Sequence, residues 1–81
     1  MVSNEKKLAI IDSNIANVEE LIYDAGIKKM TGEKCHEAKK MESAQKRIDS
    51  LTANLNALKE LREPVAKAFA DEKAAAGAEN Q

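Results

Sequence analysis

The fold of this chain is decided by LAIIDSNIANVEELIYDA at residues 8–25 and MESAQKRIDSLTANLNAL at residues 41–58. In both stretches, apolar residues recur at alternating steps of three and four. This spacing keeps them on one narrow stripe of an α-helix, which is the seam of a coiled coil. The seam residues are Leu8, Ile11, Ile15, Val18, Ile22 and Ala25, followed by Met41, Ala44, Ile48, Leu51, Leu55 and Leu58. Because such a stripe is buried only against another helix, the sequence predicts an all-α fold, an antiparallel helical hairpin of coiled-coil type.

Capping signals set the predicted start and end of the first helix. The Ser3 hydroxyl can accept a hydrogen bond from a free amide of the first turn, which is the usual role of an N-cap residue. Gly26 tolerates the left-handed conformation in which many helices end. The first helix is therefore predicted at about residues 4–24, within one helical domain that covers residues 1–81.

A bend and a second helix follow. The bend is predicted at residues 25–32, with Ile27 and Met30 as the apolar residues that close the end of the hairpin. Thr31 is a candidate N-cap. The second helix is therefore predicted at about residues 33–62.

Pro64 interrupts the helical pattern near the C-terminus. Proline lacks an amide hydrogen and clashes with the preceding turn, but it is well tolerated as the first residue of a helix. We therefore expect either a kinked continuation or a short third helix, giving a C-terminal helical extension at about residues 64–75. Residues 76–81 lack a large apolar side chain and are expected to fray.

Two antiparallel registers fit the seams. In the first, Leu8 faces Leu58 and every seam residue is paired, but the connection must be long. In the second, Leu8 faces Leu51, which suits a short connection and leaves Leu55, Leu58 and Leu61 uncovered. An uncovered leucine loses about 1.5 to 3 kcal/mol of burial. The C-terminal segment or a second copy of the chain is then expected to cover this face.

Composition excludes several classes of protein. Thirteen basic and fourteen acidic residues give a net charge of −1 with both signs interspersed, which disfavours binding to nucleic acid or an anionic membrane through bulk charge. No apolar run approaches the roughly 20 residues that a membrane span requires. The first residues, MVSNEKK, lack the apolar core of a signal peptide. We therefore predict a cytoplasmic protein without a membrane partner.

Three residues with potentially reactive side chains, Cys35, His36 and Glu37, are adjacent in the sequence. Neighbouring side chains on a helix point about 100° apart, so Cys35 and His36 are not placed to act as a thiolate and imidazole pair. His36 also begins a sequence like the zinc-binding HExxH motif, but Lys40 stands where the second histidine must be. We therefore predict no catalytic residue, no metal site, no cofactor and no enzymatic activity. A redox role for Cys35 stays open.

Basic residues cluster around the predicted bend. With His36 they form a candidate polar contact surface, although acidic residues are interleaved and no aromatic platform for stacking on bases is present. The members of this surface are Lys28, Lys29, Lys34, His36, Lys39 and Lys40. A nucleic-acid-associated protein that uses these lysines is therefore one alternative, and nucleic acid is not the partner that the sequence favours.

The apolar surface exceeds what one hairpin can cover. Seven residues are predicted to form the interface with a protein partner or with further copies of the chain: Ile10, Leu21, Leu55, Leu58, Leu61, Val65 and Phe69. We therefore predict a homo-oligomer, a dimer or larger, that binds a partner protein through an apolar helix face. A structural subunit of a larger helical assembly is a further alternative.

The general shape of the chain resembles the small helical accessory and chaperone proteins of bacteria and their phages. Like them, it is short, poor in aromatic residues, and has an Ala- and acid-containing tail. This resemblance implies a small adaptor, regulator or assembly chaperone. It rests on no single motif and implies no particular functional residue.

Overall fold

The computed structural model describes residues 1–79, which form two long α-helices packed side by side. Helix α1 spans Asn4–Lys34 and helix α2 spans Ala38–Glu79, and this part of the chain contains no strand. The all-helical architecture predicted from the two seams is confirmed. The molecule is a rod of 65 × 20 × 15 Å. Because a helix rises about 1.5 Å per residue, the 42 residues of α2 account for its length.

Helix α1 is longer than predicted. It begins as expected, because the Ser3 hydroxyl accepts a hydrogen bond from the amide of Lys6 at 3.2 Å. It does not end at Gly26 and continues to Lys34, so the predicted end near residue 24 is wrong. A glycine inside a helix costs only about 1 kcal/mol relative to alanine. Packing of the following turns against α2 outweighs that cost.

The bend predicted at residues 25–32 is also wrong. The connection consists of residues 35–37, and Thr31 lies inside α1, where its hydroxyl donates to the carbonyl of Ile27 at 2.8 Å. Ile27 and Met30 therefore lie on the exposed surface of α1 and do not close the hairpin.

The connection between the helices is a Schellman motif. The amide of Glu37 donates to the carbonyl of Gly32 at 2.8 Å, and the amide of His36 donates to the carbonyl of Glu33 at 3.3 Å. This pattern requires a left-handed residue just after the helix, and glycine is the usual one. Here His36 takes that position with φ of 57°. The Glu37 carbonyl then accepts from the amide of Met41 at 3.1 Å and begins α2.

Polar contacts between the helices show their register. The pairs are Asn4 with Glu72, Asp12 with Arg62, and Lys29 with Gln45. Extended along both helices, this register places Leu8 level with residues 66–68, a little more than one heptad beyond Leu58. Both predicted registers are therefore wrong. The position of the turn explains the shift, because a hairpin pairs residues that are equally distant from its turn, and this hairpin turns at His36.

Pro64 lies inside α2, and the helix is continuous through it. The predicted third helix is therefore wrong, and the C-terminal extension is the last part of α2. Seam residues on both sides of the proline, Leu58 and Val65, are half-buried, so packing along α1 holds this segment helical. Helix α2 reaches residue 79, so residues 76–79 of the predicted frayed tail are helical. Residues 80–81 lie outside the described residues.

The core is a single narrow row of side chains between the helices. Its buried apolar members are Leu8, Ile11, Ala25, Ala44 and Leu51. Most other seam residues are only half-buried, because each helix has one neighbour in the hairpin. Supercoiling of the pair and its assembly into an oligomer stay predictions.

Gly32 allows the helices to approach closely beside the turn. It is buried, and a Cβ atom at this position would lie 3.1 Å from Cγ of Met41 and 3.2 Å from the Met41 amide nitrogen. Gly26, one and a half turns earlier, has nothing within 4 Å of the same hypothetical atom. The missing side chain of Gly32, and not that of Gly26, is therefore required by the packing of α1 on α2.

Candidate functional site

An apolar groove lies between the two helices at the end of the hairpin remote from the turn. We call it the open-end groove. It has a volume of about 330 Å³ and is lined by Val2, Lys7, Ile10, Ile11, Leu61 and Val65. Leu61 also lines a second depression, of about 360 Å³, with Val18, Asn54, Ala57 and Leu58. Because they share Leu61, the two depressions form one continuous surface between α1 and α2.

Two large aliphatic side chains on this surface are half exposed to solvent. Ile10 on α1 retains 49% of its accessible surface and Leu61 on α2 retains 56%. Both positions lie beside the seams, so neither side chain is covered by the opposite helix. The groove therefore presents apolar surface contributed by both helices.

The seven residues predicted as an interface fall into two groups. Ile10, Leu21 and Leu61 are exposed. Leu55, Leu58, Val65 and Phe69 are half-buried along the seam of α2. The observed register explains the second group. It is shifted by about one heptad from the first predicted register, so the C-terminal part of α2 lies alongside α1 and these residues face α1. In addition, the Lys73 ammonium lies 4.7 Å from the centre of the Phe69 ring.

An ion pair joins the two helices beside the groove. Arg62 donates from Nε to Oδ1 of Asp12 at 2.6 Å, and from Nη2 to Oδ2 at 3.4 Å. This hydrogen bonding lowers the pKa of Asp12 from its ordinary value and raises that of Arg62. The pair joins α1 and α2 at residues 12 and 62, each within two positions of a groove residue, Ile10 or Leu61.

Sequence reasoning missed this ion pair, although a signal for it is present. Arg62 stands four residues after Leu58 and three before Val65, so it occupies a seam position of α2. A charged residue in a seam needs a partner on the facing helix. With the observed register, that partner is Asp12.

Basic side chains gather at the other end of the molecule, near the turn. They surround a shallow depression of about 400 Å³ lined by Lys28, Lys39, Lys40, Ser43, Ala44 and Arg47. Of the predicted polar contact surface, Lys28, Lys39 and Lys40 are thus brought together. Some of their charge is locally compensated, since Lys28 pairs with Asp24 at 3.1 Å and Lys40 with Glu37 at 3.7 Å.

The remaining members of the predicted polar surface are placed elsewhere. Lys29 is half-buried and donates to the side chain of Gln45 across the hairpin. Lys34 and His36 are exposed at the turn. They are not among the residues that line the basic depression.

The apolar groove and the basic depression lie along one side of α2. Lys40, Arg47, Asn54 and Leu61 follow one another at steps of seven, which keeps them on the same face of a helix. That face is basic beside the turn, polar in the middle and apolar at the open end. A ligand that runs along it meets positive charge at one end and apolar surface at the other.

A further exposed apolar cluster on α1 was not predicted. We call it the Tyr23 patch, and it consists of Tyr23, Ile27 and Met30, which are 73%, 47% and 59% exposed. Steps of four and three place them on one face of a helix. The signal is visible in the sequence, but the prediction that α1 ends before Gly26 assigned Ile27 and Met30 to a bend.

The reactive residue types at the turn do not form a cluster with other metal ligands. Cys35 is exposed with a free thiol, and His36 has the left-handed backbone of the Schellman motif. Among the side chains of residues 1–77, no three His, Cys, Asp or Glu residues are grouped so that they can hold a metal ion. Neither described helix has a stretch long and apolar enough to cross a lipid bilayer.

Comparison with known proteins gives no relative. No protein-family model matches the chain, and no similar curated protein and no similar solved structure is found.

Proposed function

We propose that this chain is a non-enzymatic interaction protein, a small adaptor, regulator or assembly chaperone, that binds a helix of a partner protein in the open-end groove. The observation that carries the proposal is the exposure of Ile10 and Leu61 side by side on different helices. Two parallel ridges with an apolar groove between them are a common receptor for the apolar face of an amphipathic helix.

The basic residues at the turn end of this side of α2 indicate the charge of the partner helix. A partner helix of roughly 20 residues, about 30 Å long, that lies along the hairpin with its apolar residues at Ile10 and Leu61 reaches Lys40 and Arg47 with its other end. We therefore propose a partner helix with an apolar stripe followed by acidic residues. The basic end contributes mainly to orientation and association rate, because exposed charge pairs add little affinity.

The size of the groove sets the expected affinity. Burying a large aliphatic side chain completely contributes about 1.5 to 3 kcal/mol, and roughly half of that remains available for half-exposed Ile10 and Leu61. Such a surface favours a reversible complex over a permanent one.

A displayed library of amphipathic helical peptides, selected on the full chain, tests this function. We expect the selected peptides to carry an apolar stripe with acidic residues at one end, and to lose binding when Leu61→Glu is introduced. Ile27→Lys, on a different face, is the matched control and should bind normally. Peptides that bind wild type and Leu61→Glu equally well would contradict the proposal.

The structure also selects the better substitution for this test. Leu55 and Leu58 are half-buried in the seam of α2, so a charge there would disturb the hairpin itself. Leu61 is more than half exposed, and a glutamate at that position can be hydrated without unfolding the helix pair. Circular dichroism on each variant verifies that the helices are retained.

A nucleic-acid-associated function is the second candidate, and the basic depression is the observation that favours it. Lys28, Lys39, Lys40 and Arg47 lie around one shallow surface. Titration against a mixed-sequence DNA duplex at increasing salt tests it, because phosphate contacts make affinity fall steeply with salt concentration. Absence of binding to the duplex at low salt would exclude a nucleic-acid-associated function.

Assembly into a larger helical structure is the remaining alternative. An open assembly gains mass continuously with concentration, whereas a closed oligomer stops at a fixed number of copies. Light scattering coupled to size exclusion, over a series of concentrations, separates the two.

A further inference from the structure

The Tyr23 patch lies outside the open-end groove and faces away from α2. Seam residues of α1 such as Ile22 and Ala25 are half-buried or buried against α2, whereas Tyr23, Ile27 and Met30 are exposed on another side of the same helix. Three large exposed side chains in successive turns of one helix face form a contiguous apolar patch, which is typical of an interaction site.

We propose that the Tyr23 patch binds a second copy of this chain, with the two α1 helices packed antiparallel about a two-fold axis near Ile27. The first support is the arrangement of the patch itself. Tyr23 and Met30 lie four residues before and three residues after Ile27. Rotation about an axis at Ile27 therefore brings the Tyr23 ring of each copy to Met30 of the other, which is a favourable contact between sulfur and an aromatic ring.

Charge at the two ends of the patch is the second, independent support. Glu19 and Glu20 stand on either side of this face before Tyr23, and Lys34 stands on it after Met30. The same two-fold axis places Lys34 of one copy between Glu19 and Glu20 of the other, twice per dimer. Among the described residues, none of these three charged groups has an opposite charge within 4 Å in the single chain.

This arrangement is self-complementary, as an interface between identical copies must be. A parallel pairing would instead place acidic residues against acidic residues and Lys34 against Lys34. The contact covers about four turns of one helix per copy, which is at the small end of specific interfaces. We therefore infer a reversible dimer that leaves the open-end groove accessible to its partner.

Sedimentation equilibrium on the full chain over a wide concentration range tests the dimer. We expect wild type to pass reversibly from monomer to dimer, and Ile27→Lys, which places two positive charges together on the axis, to weaken association at least tenfold. Leu61→Lys is the matched control, because Leu61 is exposed to a similar degree but lies in the groove. It should associate like wild type.

Reversing the charges tests the orientation. Lys34→Glu alone should weaken the dimer, and combining it with Glu19→Lys and Glu20→Lys should restore association. In a Cys35→Ser background, oxidising an equal mixture of Tyr23→Cys and Met30→Cys chains should give a disulfide-linked heterodimer in preference to either homodimer.

The proposal is overturned by a wild type that stays monomeric at every concentration, or by an Ile27→Lys variant that associates like wild type. It is also overturned if Leu61→Lys is the variant that loses the dimer, or if mass grows without limit. Each outcome concerns self-association alone, so it is distinguishable from failure of the peptide-binding test.

Discussion

The turn end and the open end of the hairpin use the same two helices but different side chains. Beside the turn, contact is made by small residues: Ala25 and Ala44 are buried, and a Cβ atom at Gly32 would lie only 3.1 Å from the Met41 side chain. At the open end, Leu8 and Ile11 form the core, and Ile10 and Leu61 beside them stay exposed. Close approach of the two helices therefore fixes their register at the turn end. At the open end, large side chains form an apolar surface.

Because of this difference, we expect the stability of the hairpin and its binding of a partner to depend on different parts of the molecule. A change at the turn end should alter how the helices pack, with little effect on what the groove binds. A change of Ile10 or Leu61 should alter binding and leave the fold in place. The following predictions concern stability, each measured by thermal and urea unfolding at one fixed concentration, because association shifts apparent stability.

The largest expected effect is at the open end. Pro64 is exposed inside α2 and removes the amide that would bond to the carbonyl of Glu60. Replacing it with alanine, Pro64→Ala, should stabilise the hairpin by as much as about 3 kcal/mol. Glu63→Ala, at the neighbouring exposed position, should change stability by no more than about 0.5 kcal/mol. An unchanged urea midpoint for Pro64→Ala would show that the proline is not a weak point of α2.

The two glycines of α1 give a matched pair at the turn end. Gly26→Ala meets no atom within 4 Å, so the better helix former should stabilise the hairpin by about 0.5 to 1 kcal/mol. Gly32→Ala places a Cβ atom 3.2 Å from the Met41 amide nitrogen, and should destabilise it by about 1 to 2 kcal/mol. Equal effects of the two substitutions in thermal unfolding would contradict the close approach of the helices at Gly32.

A smaller gain is expected from the turn itself. His36 holds φ of 57°, a conformation that costs an L-residue roughly 1 kcal/mol and costs glycine almost nothing. His36→Gly should therefore raise stability by up to about 1 kcal/mol. His36→Ala removes the imidazole but keeps the Cβ atom, so it should give no such gain. If alanine and glycine stabilise equally, the backbone strain is not the cause.

The smallest effect is the pH dependence of the Asp12 and Arg62 pair. The pKa of Asp12 is lowered in the folded chain by its hydrogen bond with Arg62, below an unfolded value of about 3.9. The contribution of the pair is therefore present above pH 4, and is lost as the pH falls through the folded pKa. Asp12→Asn should unfold more easily at neutral pH and lose less stability on acidification. Parallel pH curves for wild type and Asp12→Asn would exclude a contribution from this pair.

The seams of residues 8–25 and 41–58 were sufficient to predict two packed helices. Apolar residues at alternating steps of three and four lie on one face only in a helix, and another helix then covers that face. The turn was not predictable in the same way. Gly26 and Thr31 are strong local signals for a helix end and a helix start, but the chain turns at His36, which is neither. Packing of the whole hairpin outweighed those local preferences, as it did at Pro64.

The error in the turn propagated to the candidate site. The turn at residues 35–37 shifts the register by about one heptad from the first predicted register and by about two from the second. In the observed register Leu55 and Leu58 are half-buried and Leu61 is exposed. It also placed Ile27 and Met30 on a helix surface, where they join Tyr23. Ile10 and Leu21 were identifiable from the sequence because they lie beside the seam of α1. Leu61 was identified through the second predicted register, which is wrong, although the residue is exposed.

The central claim is that the open end binds and the turn end closes the hairpin. The most direct test is to follow the backbone amide signals of the labelled chain by NMR while a selected helical peptide is added. We predict that the signals of Ile10, Ile11, Leu61 and Val65 move most, that those of Lys40 and Arg47 move less because the acidic end of the peptide lies beside them, and that those of Ala25 and Gly32 do not move. Shifts concentrated at the turn end, or spread evenly along both helices, would contradict the claim.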